Sequence, residues 1–150
     1  MKTFETLADL AAMVGQEVTV SEWVHITQER INQFAQATGD HQWIHVDPER
    51  AKSGPFGTTI AHGFLTLSLI PCFFDESVSV RQLRMGVNYG LNKVRFVAPV
   101  PAGSRLRGRM RLDKADPVEG GLQLLWTVSI EREGSDKPVC VAESLARMYP

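Results

Sequence analysis

Cysteine is scarce in this chain: only Cys72 and Cys140 occur in 150 residues, far apart and without C-x-x-C spacing. That excludes a disulfide framework and a zinc knuckle, and both thiols are expected in the interior. Long apolar runs are missing as well. No stretch approaches the ~18 uninterrupted apolar residues of a membrane span. The first residues, MKTFETLADLAAMVG, put Glu5 and Asp9 where a secretory signal needs its apolar region. No membrane partner is expected, and the expected location is cytoplasmic. Charge of one sign is also lacking: the net charge is −1, which removes any global reason to expect nucleic acid or an anionic surface. There is no repeat, low-complexity tract or Pro/Gly/Ser linker. With 43% hydrophobic and 22% charged residues, the composition predicts one globular domain over residues 1–150.

What is present has a definite order. Residues 5–13 read as a short helix. EVTVSEWVHI then shows the mostly alternating apolar pattern of a strand at Val18, Val20, Val24 and Ile26. Thr27 is placed to cap a helix carrying Ile31, Phe34, Ala35 and Thr38, and Gly39 fits its C-terminal cap. Asp47-Pro48 opens another short helix, with Asp47 as N-cap and Pro48 at the first helical position. TIAHGFLTLSLIP is apolar on nearly all sides, as in a helix buried all round, and Pro71 should end or kink it. Period-two patterns follow at Val94/Phe96/Ala98, Leu106 to Leu112, Leu122 to Ile130 and Cys140 to Met148, separated by the turn-forming APVPAGS and PVEGG. Helices first and strands later predict an α+β fold in which a curved antiparallel sheet wraps one long central helix.

The nine residues GDHQWIHVD, 39–47, concentrate the chemistry-bearing side chains. Asp47 is explained as a cap. Asp40 is not, because it follows a helix C-terminus, where the macrodipole disfavours negative charge; an Asx-turn or a functional role would account for it. His41 and His45 are four apart, but the segment is bounded by Gly39 and Asp47-Pro48 and lacks the glutamate of a zinc-protease motif, so no metal site is expected. His45 reads either as a satisfied core histidine or as a proton carrier. A carboxylate and an imidazole in one loop can converge on one water and share its proton. Gly63, just inside the apolar helix, costs about 1 kcal/mol against alanine. Close packing would explain it, and so would a bare first-turn N–H that approaches a substrate oxygen.

FAQATGDHQWIHVDPERA followed by GPFGTTIAHGFLTLSLIP resembles the MaoC-like (R)-specific enoyl-CoA hydratases of the hotdog fold, and more closely their NodN-like branch. The resemblance rests on Asp40 and His45 separated by four residues, then Asp47-Pro48, then His62-Gly63 opening the central helix. NYGLNKVRFVAPVPAGSRLRGR adds the strand and hairpin beyond it, so most of the chain is covered. The resemblance implies that Asp40 and His45 activate the water added to C3 of a trans-2-enoyl-CoA, with a proton returned to C2. It implies that the Gly63 N–H binds the thioester carbonyl. It also implies a homodimer joined edge to edge and an acyl-CoA substrate, with no resident cofactor and no metal. Thr58-Thr59 and Pro71 depart from residue types common in the family, which bears on the shape of the acyl pocket.

Further binding candidates are His62, Trp43, Phe64, Asn88 and Tyr89. From Arg81 to Arg111 there are eight basic residues and no acidic one, and CoA carries phosphates. Arg105, Arg107, Arg109 and Arg111 nevertheless alternate with apolar residues like a solvated outer face, so Lys93 and Arg95 are the better phosphate candidates. Two rival readings remain at this level: a thioesterase on the same fold, and a non-catalytic acyl-thioester binding domain.

Overall fold

The computed structural model describes residues Met1–Pro150. The elements in chain order are β1 (Lys2–Phe4), α1 (Leu7–Ala11), β2 (Glu17–Val20), β3 (Val24–His25), α2 (Gln28–Thr38), α3 (Trp43–Val46), α4 (Pro48–Lys52), α5 (Gly63–Ser68), α6 (Ile70–Asp75), β4 (Val78–Val80), β5 (Met85–Phe96), β6 (Arg105–Val118), β7 (Gly121–Arg132) and β8 (Pro138–Tyr149). The main sheet is antiparallel, in the order β2-β6-β7-β8-β5, with β3 also on β6.

The alternation along β6, β7 and β8 produces the core. Leu106, Met110, Leu112, Leu124, Trp126, Val128, Ile130, Cys140 and Ala142 are all buried on one face, against Leu65, Leu69, Ile70 and Phe73 of the α5–α6 pair. Burying Phe73 in full contributes roughly 1.5–3 kcal/mol. Gly108 lets that ring approach the sheet: a Cβ at Gly108 would lie 2.9 Å from Phe73 Cδ2. On the opposite face the arginines of β6 pair with carboxylates, Arg105 with Glu133, Arg107 with Glu131, Arg109 with Glu17 and Arg111 with Asp113. This is the solvated face that the alternation predicts.

Several boundaries differ from expectation. The first helix is shorter than 5–13, opened by a capping box between Thr6 and Asp9. It is preceded by an unanticipated strand, β1, which runs parallel to β4. The central helix is not one element. Thr59–His62 is extended: Ile60 N–H donates to Ile44 O, and Ala61 N–H to Val100 O. The helix starts at Gly63 and breaks at Leu69, and Pro71 lies in the first turn of α6, where its missing N–H costs nothing. Nor is the helix buried all round. Phe64 is 68% exposed, and Ser68 and Pro71 also face outward. Strand β5 begins at Met85 rather than near Val94, so Asn88 and Tyr89 lie within it instead of preceding it. Cys140 is buried, but Cys72 is only partly so. No helix is long and apolar enough to cross a membrane.

Candidate active site

Helix α2 delivers the chain to the site. Thr27 Oγ1 caps its start by accepting from Arg30 N, and Gly39, at φ 83°, closes its end by donating to Ala35 O. The left-handed turn at Gly39 directs Asp40 away from the helix. Asp40 forms the Asx-turn, its Oδ1 accepting from Gln42 N at 3.3 Å, and its side chain stays exposed. One turn of helix, α3, then carries His45 inward, so Asp40 and His45 do not share one non-helical loop as anticipated. Asp47 is the cap that its sequence context indicates, accepting from Arg50 N at 3.1 Å.

His45 is buried, and its Nδ1 lies 2.7 Å from Ile60 O. A carbonyl oxygen only accepts, so Nδ1 carries the proton and Nε2 of the neutral ring is a bare base. Its main chain is held as well: Gln28 Nε2 donates to His45 O at 2.7 Å and to Asn32 Oδ1, while buried Thr59 donates its hydroxyl to Gln28 Oε1. Gln28 did not stand out in the sequence, and Thr59 did so only as a residue bearing on the acyl pocket, not as a support for His45.

His62 packs behind this pair. Its Nε2 lies 3.0 Å from Asp40 O, and its ring stacks on that of His45 with centroids 3.9 Å apart and planes inclined by 25°. The Phe34 ring also packs against it, tilted by 53° with centroids 4.9 Å apart. Burial holds its pKa below the ordinary 6.5, and neighbouring His45 acts in the same direction, while the hydrogen bond to Asp40 and the Asp40 charge act in the opposite one. The candidate ligating atoms of Asp40, His45 and His62 lie within 4.8 Å of one another. A cation, however, needs lone pairs that converge in the ring planes. Two nearly parallel stacked rings point theirs side by side, so these residues form a poor metal cage, while a carboxylate and an imidazole nitrogen stand close enough to share one water.

Gly63 begins α5 beside His62. The first bond into this helix is Thr66 N–H to His62 O, so the Gly63 N–H has no backbone partner. Close packing applies too, since a Cβ at Gly63 would stand 3.0 Å from the Phe96 ring. A cleft of about 320 Å³ reaches this glycine, lined also by Phe56, Ile60, Thr66 and Phe96. Two further clefts, of about 400 and 280 Å³, run along α5 and α6 against β5; Asn88, Pro71 and Ser144 line both, and Tyr89 lines the larger. Asp40 and His45 line none of the three.

Other candidates fall elsewhere. Trp43 packs over Gly54 and beneath the Arg50 guanidinium. Phe64 points outward beside Phe96. His62 is 2% exposed, which makes it a buried support rather than a surface that meets substrate. Lys93 and Arg95 are exposed, and Arg95 Nη1 donates to Val94 O.

Residues 9–124 match the family described as MaoC like domain. The chain belongs to that family. Among MaoC-like relatives it is 57% identical over 148 residues, 98% of each chain, to the 3-hydroxyacyl-thioester dehydratase Z of Mycobacterium tuberculosis. It is 48% identical over 141 residues to nodulation protein N of Rhizobium leguminosarum bv. viciae, covering 91% of this chain and 87% of that one. The fold is shared with an R-hydratase of Pseudomonas aeruginosa at a TM-score of 0.76 and 23% identity, over 96% of this chain and 85% of the other. The hotdog expectation, and the NodN-like likeness within it, are thereby met.

Proposed function

We propose that this MaoC-like chain is a hydro-lyase that adds water to a trans-2-enoyl-CoA to give the (R)-3-hydroxyacyl-CoA, and reverses that step as a dehydratase. The observation that carries the reading is the pairing of the exposed Asp40 carboxylate with a His45 whose Nε2 is left bare by the bond from Nδ1 to Ile60 O. In hydration, Asp40 orients a water and His45 Nε2 takes its proton. The water oxygen bonds to C3, electron density moves to the thioester oxygen, and the proton returns to C2 as the carbonyl reforms. The Gly63 N–H donates to that oxygen while it carries charge. The acid–base pair contributes on the order of 10²–10⁴-fold and the oxyanion donor about 10²–10³-fold. Side chains meet every proton transfer, so the reading calls for no metal or redox group. The dehydratase name of the 57% identical relative supports the same reaction class.

The functional unit in this reading is a homodimer. β5 is an edge strand whose outer rim is unpaired, and Met85, Val87, Tyr89, Leu91 and Phe96 are exposed along it. An open apolar edge is covered by pairing with a second copy across a two-fold axis. That would also cover Phe64 and enclose the clefts along α5 and α6.

The test is the conjugated-enoyl absorbance with crotonyl-CoA and a longer trans-2-enoyl-CoA, with product chirality determined. Loss of the band with an (R)-3-hydroxy product supports the reading. Release of free thiol would instead identify a thioesterase, and binding without turnover would identify a binding domain.

A further inference from the structure

The reaction written above has no use for one buried side chain that touches both of its acid–base residues. His62 is 2% exposed, and its Nδ1 is buried with no hydrogen-bond partner. The bond to Asp40 O fixes the proton on Nε2, because the carbonyl only accepts. Nδ1 is then a bare lone pair, and an imidazolium here would place a second N–H in a pocket that offers it no acceptor.

Three parts of the site meet at this residue. Nε2 grips the backbone of Asp40, twenty-two residues away. The other polar contacts of that loop residue are longer, 3.3 Å from Gln42 N to its Oδ1 and 3.5 Å from its own N to Thr38 Oγ1. The grip uses the carbonyl oxygen and leaves the carboxylate free. The ring stacks on that of His45, centroids 3.9 Å apart. The next peptide bond leads to the Gly63 N–H at the start of α5. The titratable groups facing His62 are Asp40, His45 and His41, and the Phe34 ring packs against it at a tilt.

We propose that His62 is a positioning residue, held as the neutral Nε2–H tautomer, which sets the distance between the Asp40 loop and His45 and ties both to the oxyanion turn. This inference rests on the hydratase reading for its kinetic consequence but not for its geometry. A misplacement of about 1 Å at a reacting pair costs about 10²-fold in rate, and substrate binding energy made elsewhere is unaffected.

The experiment compares His62→Phe, which keeps an aromatic ring against Phe34 and His45 but loses the donor, with His62→Gln, which keeps a donor near the Nε2 position. Both are measured with a trans-2-enoyl-CoA, with folded fraction followed by circular dichroism. The expected result is a kcat about 100-fold below wild type for His62→Phe, recovered to within about 10-fold by His62→Gln, with KM within about threefold throughout. Equal kcat in the two variants, a change confined to KM, or losses that only follow the folded fraction would overturn the proposal.

Histidine NMR separates this inference from the reaction itself. Should the wild type hydrate no enoyl thioester, the hydratase reading fails, while the inference still predicts an Nε2–H tautomer for His62. It also predicts His45 ring and Asp40 amide resonances that shift in His62→Phe and return toward wild type in His62→Gln. An Nδ1–H tautomer, or unmoved His45 and Asp40 resonances in His62→Phe, would sink it.

Discussion

Gln28 and His45 are seventeen residues apart, yet the Gln28 amide donates to the His45 carbonyl at 2.7 Å. This is the side-chain tie that fixes the main chain of α3 against α2, and Thr59 in turn holds the Gln28 oxygen. Gln28→Leu removes the donor and leaves a carbonyl in a poorly hydrated position, at a cost of about 1–3 kcal/mol. A urea series should show the lower midpoint. Turnover should fall further than the loss of folded protein explains, since His45 is no longer held. Unchanged stability and rate would mean that the Ile60 contact alone orients the imidazole.

Asp40→Asn separates the two roles of Asp40. An asparagine Oδ1 still accepts from Gln42 N, so the Asx-turn and the loop persist while the charge is lost. Turnover of an enoyl-CoA should drop by about 10²–10⁴-fold, with acyl-CoA affinity within a few-fold of wild type. Parallel loss of affinity, measured by calorimetry, would count against a catalytic carboxylate.

The structural explanations for the residues of 39–63 hold, and none of them uses up the group that the proposed chemistry needs, which shows how far a sequence can be read. Asp40 makes the Asx-turn and still presents its carboxylate; His45 is a satisfied core histidine at Nδ1 and a bare base at Nε2; Gly63 is packed against Phe96 and still starts a helix. Caps such as Thr27, Gly39 and Asp47 were legible because they depend on neighbours in the chain. The strands β6, β7 and β8 were legible because alternation encodes a sheet with one buried face. The Gln28–His45 tie and the His62–Asp40 bond were not, because contacts across seventeen and twenty-two residues leave no local pattern. The central helix was misread for a related reason. Its outward residues Phe64 and Pro71 are apolar, so periodicity could not distinguish a face covered within the chain from one left open beside β5.

The two close-packed glycines should respond differently to alanine. At Gly108 a Cβ would meet Phe73 Cδ2 at 2.9 Å and Met110 Sδ at 3.0 Å, both fully buried with nowhere to move. Gly108→Ala should cost about 1–3 kcal/mol. At Gly63 the obstacle is the Phe96 ring, half-exposed in the single chain and able to give, where the buried Phe73 cannot, unless a second copy on β5 holds it, and alanine is the better helix former. Gly63→Ala should therefore cost less than about 1 kcal/mol. Chemical denaturation of the two variants side by side tests this ordering, and a larger cost at Gly63 would show that Phe96 is clamped.

Stability should fall toward both ends of the pH range, for two identifiable reasons. The His62 pKa lies below the 6.5 of an unperturbed histidine, chiefly through burial. As pH drops below 6.5, the unfolded chain takes up a proton that folded His62 refuses, so stability is lost until the folded pKa is passed. Cys140 works from the alkaline side: burial pushes its thiol up from 9.0 to about 11. Between those values the unfolded thiol has ionised and the folded one has not, so stability declines as pH rises. Denaturation midpoints across the range should lose the acid slope in His62→Gln and most of the alkaline slope in Cys140→Ala, the remainder coming from Cys72, whose thiol burial also pushes up, each variant leaving the other limb in place. An alkaline limb that persisted undiminished in Cys140→Ala would assign that decline to other groups.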